Sequence, residues 1–562
     1  MKKYNLQIKI IGQILFVILF FSTSSAKSLD KFNKAERISN YFSGIILLNN
    51  NQFDDSYKYL KKLNGLEASH LNYSVKYLYS LVNSGNFQEA VKYSKKLEKQ
   101  NLDILESHLI LGTFYLKNSN IDLAVKYFQK AKNRNSRFIL NNYISNSLYN
   151  WSTISDLNQA LLDLKKLDQR FENLEKIQNV FINCYFDSPN TKQLFEQITS
   201  DQNTDFSRYN YFFAAHLASN GSINDSKKIV NSALERYPRN LLLNQYKIDL
   251  NQNKNVLIFN CKKKDHVIAE ILYITANALS SQAIYPLSNF YLNLAKYLNE
   301  DFHSYNTLLA ENYYKNDNFK KAKKIYNNLS KNGDAFNWYS SKQLARIFIQ
   351  KENKDEALKL LQESYNSLLN KEVYEIFDYA EFLKNNEKFK ESIPFYSQII
   401  NQINTTHPLY PESTDGRGVA YERIGEWNKA EKDFLASLKA DPDQAYVINY
   451  LAYSWIEKGI KVQKSLSMLE KANKLRSNDP YITDSLGWAL FKLERYEEAK
   501  DYLQLAVKLL PADPIVNDHY GDALWKNGKV IQARYYWNYV LQLEETENKL
   551  KQTIQEKLIK GL

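Results

Sequence analysis

The chain reads as an all-α solenoid, a row of stacked helix hairpins, and three features of the sequence predict it. Between Glu412 and Leu541 four copies of one unit follow each other, with the small residues Gly418, Ala452, Gly487 and Gly521 spaced 34, 35 and 34 residues apart. Within each copy the apolar residues recur at helical rather than strand spacing. Finally, 562 residues exceed what one compact core organises, yet with only 15 Gly and 10 Pro no linker divides the chain. A solenoid resolves this, because each repeat packs only on its neighbours and the core grows along one axis.

One copy shows the physics. Leu486, Leu490 and Leu493 form the apolar stripe of a first helix, opened by Pro480 where its missing N–H costs nothing. Gly487 lets the second helix approach. In that helix Ala499, Leu503 and Ala506 share one face, and Pro511 ends it. Gly418, Tyr421, Ala430, Phe434 and Pro442 repeat the pattern upstream, and Gly521, Leu524, Ala533 and Trp537 repeat it downstream. The copy between has Leu451, Ala452, Trp455, Leu469 and Ala472, with one extra residue in its inter-helix turn.

Units of this length, with a Leu-Gly pair, an aromatic or Leu three on, then an Ala, an aromatic or Leu and a closing Pro, resemble tetratricopeptide repeats. That resemblance implies a right-handed superhelical α-solenoid whose first helices line a concave groove. The runs Val447–Trp455, Thr483–Trp488 and Asn517–Asp522 resemble, more narrowly, a subgroup of exported bacterial tetratricopeptide proteins. The subgroup includes an outer-membrane lipoprotein that acts as adaptor for a carboxyl-terminal processing protease.

In chain order, Lys2, Lys3 and Lys9 give a basic start, Ile10 to Phe21 is an apolar run, and Ser24-Ser25-Ala26 supplies small residues for cleavage. Residues 1–26 therefore read as a Sec-type signal peptide, and the mature protein is expected in the periplasm. An uncleaved inner-membrane anchor is the alternative, although the apolar run is shorter than the roughly 20 residues a spanning helix needs. No Cys follows the run, so the lipid anchor of the adaptor is not carried over.

Three weaker repeats fill 27–132, where Gly44, Leu78 and Gly112 stand 34 apart and Ser56, Ala90 and Ala124 follow each by twelve. The register fades over 133–205, read as degenerate helical repeats. It returns over 206–404 with Ala214, Ala276, Ala310, Ala345 and Ala380. The four well-matched repeats occupy 405–541, with Thr405–Glu412 as the expected hinge or long loop. Residues 542–562, with Leu543, Leu550, Ile554 and Leu558 among charged neighbours, suit a C-terminal capping helix.

Charge adds little. The 74 basic against 62 acidic residues leave a diffuse excess, the signature of a solvated surface. Lysine clusters at 262–264 and 320–324 offer peripheral membrane contact as a lesser reading, and no nucleic-acid motif is present. The seven histidines are scattered singly, without metal-ligand spacing, and no phosphate loop or nucleophile elbow appears. No cofactor and no catalytic residue are expected, and a binding protein rather than an enzyme follows. Cys184 and Cys261 lie 77 residues apart, a little over two repeats, so two buried free thiols are expected.

If the first helices line a groove, the residues opposite the Leu stripe face a ligand. These are Asp484, Trp488 and Phe491 in one copy, Asn449 and Tyr453 before it, and Asp518, Asp522 and Trp525 after it. Aromatics beside amides and carboxylates suit the clamping of a peptide backbone or the seating of a helix. The competing reading is that Trp488 and Trp525 complete packing between repeats. Protein or peptide partners are expected, in a scaffold or adaptor for envelope proteolysis or cell-wall assembly; a glycan- or peptidoglycan-binding module is the alternative.

Overall fold

The computed structural model describes residues 34–134, 139–201, 203–254 and 258–562. The signal peptide read at 1–26 lies outside them. Among the described residues every regular element is a helix, in the all-α architecture the periodicity predicts. None of these helices is long and apolar enough to cross a membrane. The chain forms two compact units, Met1–Leu368 and Leu369–Leu562. Thr405–Glu412 is no hinge: a short turn leads into the helix Leu409–Arg423, which packs on the preceding helix Phe389–Gln402.

One contact builds each hairpin. The small residue of the first helix lies against the residue sixteen positions later, on the second helix. A Cβ at Gly44, Gly112, Gly418, Gly487 or Gly521 would sit 2.5–2.8 Å from Leu60, Phe128, Phe434, Leu503 or Trp537. Where the first-helix residue is alanine the same step holds, pairing Ala276 with Leu292, Ala310 with Tyr326, Ala345 with Leu361 and Ala380 with Tyr396, all buried. The hairpin of 71–99 inverts the sizes: Leu78 occupies the small position and Ser94 the large one, both fully buried. Seven residues after the register position the chain turns through a left-handed residue that ends the first helix. Gly85, Gly221, Gly425 and Gly528 do this, as do Asn51, Ser119, Ala283, Asp317, Glu352, Glu387 and Glu494.

Helix hairpins continue through the stretch where the sequence register fades. The pair Glu172–Tyr185 and Thr191–Ser200 has Val180 in the small position, yet keeps the left-handed turn at Asp187. The repeat is interrupted further on. Helix Leu241–Asn251 carries Tyr246 in the small position and turns at left-handed Asn253, but among the described residues the next helix begins only at Lys264. Residues 258–263 are irregular and place Phe259 against Phe181 and Phe212 at 5.3 and 4.4 Å between ring centroids. Helix Leu241–Asn251 finds a partner in Asp334–Gln350.

After this break the hairpin Lys264–Ser281 and Tyr285–Leu298 folds back on the start of the unit. Its second helix packs on the first helices Leu71–Asn83 and Leu105–Lys117. Asn83 Nδ2 donates to Pro286 O at 2.9 Å, Phe87 stacks on Tyr297 at 4.0 Å, and Lys117 Nζ donates to Leu298 O at 3.1 Å. The last contact puts a cation at a helix C-terminus, where the dipole favours it. The first-helix face of the early repeats is thus filled by the chain itself.

Two buried features of this unit escape periodicity. Arg208 clasps Glu270 through two hydrogen bonds of 2.7 and 2.9 Å, stacks on Tyr273, and leaves the Glu270 carboxylate with no exposure. Cys184 and Cys261 form a disulfide with Cα atoms 6.0 Å apart. This corrects the expectation of two free thiols, which assumed unbroken repeats. The irregular segment before Lys264 carries Cys261 back to the end of the helix bearing Cys184.

Two outcomes test this description. Gly112→Leu should destabilise by about 1–3 kcal/mol through overpacking. Adding Phe128→Ser rebuilds the inverted Leu78–Ser94 pair, so the double variant should lose less than the sum of the singles, by roughly 0.5–3 kcal/mol in denaturant unfolding. Glu270→Ala, which strands a buried guanidinium, should cost about 3–5 kcal/mol by the same measurement.

Candidate functional site

With the first-helix face of the early repeats covered, the face formed by Ala445–Glu457, Pro480–Lys492 and Pro514–Lys526 is the candidate surface. The last two start alike, while Ala445–Glu457 has Gln444 at its N-cap without a side-chain cap. Asp479 accepts from the backbone N–H groups of Tyr481 and Ile482 at 3.1 and 3.2 Å, and Asp513 from those of Ile515 and Val516 at 2.9 and 3.0 Å. Each aspartate is an N-cap and each following proline the first helical residue. The caps fix where each helix begins, and so keep the side chains of successive repeats in register.

The residues named from sequence are brought together, and several are already paired. Asp484 accepts from His519 Nδ1 at 2.9 Å on the neighbouring first helix. Trp488 stacks on His519 at 3.9 Å and on Phe491 at 4.8 Å, while its Nε1 donates to Glu457 at 2.7 Å on the preceding first helix. Asp518 and Asp522 accept from Lys557 of the C-terminal helix Asn548–Lys560 at 2.6 and 2.7 Å. Asp522 also accepts from Trp537 Nε1 at 3.0 Å. Asp484, Trp488, Asp518 and Asp522 are buried, and all four knit one repeat to the next or to the terminal helix.

The others are less committed. Asn449, Tyr453, Phe491 and Trp525 are half-buried. The side-chain oxygen of Asn449 has no hydrogen-bond partner. Trp525 tilts against Trp537 at 5.3 Å with Arg534 over its ring. The sequence reading passed over the second residue of each helix. Tyr446, Tyr481 and Ile515 stand one repeat apart and are 52, 56 and 45% exposed. A large apolar residue at an equivalent cap-adjacent position in three successive copies is a signal that repeat alignment could have found.

Electrostatics follows from the pairing. Burial acts to lower the His519 pKa, but the Asp484 carboxylate, with Asp518 and Asp522 behind it, outweighs burial and holds it above the ordinary imidazole value. Asp522 is pushed up to about 6 by burial and then by the Asp518 charge, which Lys557 only partly offsets. Both folded values lie above the unfolded ones, so both groups contribute stability that is full at low pH and lost as pH rises. For Asp522 the loss falls between about 3.9 and its folded value; for His519 it begins near 6.5 and continues through its folded pKa.

The histidines are not all isolated, as their sequence spacing suggested. His216 Nδ1 lies 3.5 Å from Cys184 Sγ, next to the disulfide partner Cys261. The same irregular segment that carries Cys261 back creates this juxtaposition.

Asp484→Asn should lower the His519 titration midpoint, read from its imidazole NMR resonances, and flatten the decline of stability above about pH 6.5. An unchanged midpoint would show that the ion pair does not set the protonation of His519.

Comparison with known proteins adds the following. Two family models, each described as tetratricopeptide repeat, match residues 299–546 and 79–137. The TPR repeat-containing protein PA4667 of Pseudomonas aeruginosa is 27% identical over 128 residues, 22% of this chain and 20% of that relative. The chain thus matches only a fifth of that relative's length. Among solved structures, MamA from Desulfovibrio magneticus is 17% identical over 32% of this chain and 99% of its own, with a TM-score of 0.28. A tetratricopeptide repeat protein from Parabacteroides merdae is 14% identical over 39% of this chain and 85% of its own, at 0.33. YrrB, described as a TPR protein with an unusual peptide-binding site, is 14% identical over 33% and 92%, at 0.28. The repeat register, the two family matches and a relative named for the same repeat identify residues 79–137 and 299–546 of this chain as tetratricopeptide repeats.

Proposed function

We propose that the protein is a non-enzymatic, exported scaffold or adaptor that holds a protein or peptide partner on the first-helix face of its C-terminal repeats. The observation that carries this reading is the row Tyr446, Tyr481 and Ile515, exposed at equivalent positions of three successive helices. Regularly spaced apolar anchors on rigid helices suit an extended peptide or an amphipathic helix, because each anchor meets a side chain at fixed intervals. Half-buried Asn449 lies on the same helix as Tyr446, one turn further on, with its amide oxygen buried and without a hydrogen-bond partner. Asp484, Asp518 and Asp522 act behind this surface, holding its helices together through His519 and Lys557.

Export is supported by the basic, apolar and small-residue succession at the N-terminus and by the Cys184–Cys261 bond, a type that persists outside the reducing cytosol. A role in envelope proteolysis, beside a processing protease, follows from the resemblance of the runs around Asn449, Asp484 and Asp518 to exported adaptors.

The test is capture of partners from envelope extract by the mature chain, repeated with Tyr446→Ser/Tyr481→Ser and with Asn449→Ala. Tyr481 is exposed and its replacement should leave thermal unfolding in place, whereas Tyr446→Ser also removes the hydrogen bond to Asp479 and should lower the midpoint slightly without unfolding the array. The double variant should weaken a captured protein partner about tenfold or more, as expected for anchor residues. An unchanged partner set, with binding to isolated cell-wall sacculi lost instead, would replace this reading with a glycan-binding one.

A further inference from the structure

The group formed by Cys184, His216 and Cys261 is chemically distinct from the rest of the molecule. Their ligand atoms, two Sγ and an imidazole nitrogen, all lie within 4.8 Å of one another. The three come from separate elements: the end of helix Glu172–Tyr185, helix Tyr209–Ser219, and the irregular segment before Lys264. A disulfide alone requires no histidine, yet His216 directs Nδ1 at Cys184 Sγ from 3.5 Å. The other ring nitrogen, Nε2, lies 3.2 Å from Asn220 Nδ2, and Phe195 packs at 5.7 Å between ring centroids. Turning the Asn220 amide over presents its oxygen to Nε2–H, the arrangement that orients a histidine ligating through Nδ1. The group opens on a cavity of about 230 Å³ that Asp187 and Lys262 also line, those two paired at 2.7 Å.

We propose that, when the disulfide is reduced, Cys184, Cys261 and His216 bind a thiophilic divalent cation of the zinc class, with the fourth position open to the cavity. Two thiolates and one imidazole are a donor set that zinc accepts, and three protein ligands leave one place for water. The chemistry balances in two steps. A thiol reductant delivers two electrons and two protons to the Cys184–Cys261 bond, giving two thiols and the oxidised reductant. The cation then displaces a proton from each thiol to solvent as the two metal–sulfur bonds form. The site thus has two exclusive states, a covalent cross-link and a metal centre, both joining the same two elements of the unit. The inference does not rest on the proposed partner surface.

The experiment uses the full mature chain reduced with a dithiol, freed of reductant, and titrated anaerobically with Co²⁺. Reduced wild type should develop thiolate-to-cobalt charge-transfer and visible d–d bands at one equivalent, and Zn²⁺ should abolish them. The oxidised chain should show neither. His216→Ala should keep its far-UV circular dichroism and lose affinity by more than about tenfold, and Asn220→Ala, a positioning change, by about tenfold. Cys261→Ser should remove the two-thiolate charge-transfer intensity. Absence of charge-transfer bands in reduced wild type, or His216→Ala binding as tightly as wild type, would overturn the proposal.

Discussion

The separation of sixteen residues between a small side chain on the first helix and a large one on the second is the constraint from which the hairpins follow. At Gly112 or Gly521 a single added carbon would stand 2.5 Å from Phe128 or Trp537, so the helices are as close as their backbones and rings allow. Packing at interior density makes this contact intolerant of volume changes in either direction. In the hairpin of 71–99 the sizes at these two positions exchange, Leu78 for the small residue and Ser94 for the large one, and both remain fully buried. The left-handed residue seven positions on sets the direction in which the second helix departs. In the copy with an extra turn residue the buried large residue shifts to Leu469, seventeen positions after Ala452, and the pairing survives.

Where the pairing is not completed, the unit changes character. Tyr246 is too large for the small position, and among the described residues after Asn253 the next helix begins only at Lys264. That helix packs instead on Asp334–Gln350, far along the chain. The irregular residues that follow bring Phe259 into the aromatic cluster with Phe181 and Phe212, and carry Cys261 to Cys184. They also redirect the next hairpin so that Tyr285–Leu298 lies across the early first helices. One interrupted repeat thereby accounts for the disulfide, the Cys–His group and the covered face of the early repeats.

This distinguishes what the amino-acid sequence discloses from what it conceals. Hairpins with Gly or Ala in register were legible because each contact lies within about one repeat length, where periodicity can be seen. Val180 hid its hairpin by filling the small position while Asp187 kept the turn. The pairing of Asn83 with Pro286 spans 203 residues and uses an asparagine that reads as surface, so no local pattern announces it. The same holds for Arg208 and Glu270, 62 residues apart. The cysteines were misread for the opposite reason: a rule sound for unbroken repeats was applied across a break. In the candidate site, helical spacing placed Asp484, Asp518 and Asp522 on one face, but not the lateral contact that puts His519 and Lys557 against them.

That lateral contact divides the labour on the C-terminal first helices. Residues in their middle turns meet the adjacent helix, so a carboxylate there is buried and needs a cation, supplied by His519 for Asp484 and by Lys557 for Asp518 and Asp522. Breaking such a pair strands a charge in a poorly hydrated place, and the cost falls on cohesion of the array. Residues at the second position of each helix sit beside the N-cap and stay exposed, although Tyr446 also donates its hydroxyl to Asp479, the N-cap of the next first helix, at 2.9 Å. In the proposed partner surface Tyr481 and Ile515 can therefore vary without loosening the stack, while the ion pairs hold the spacing at which successive first helices present such side chains.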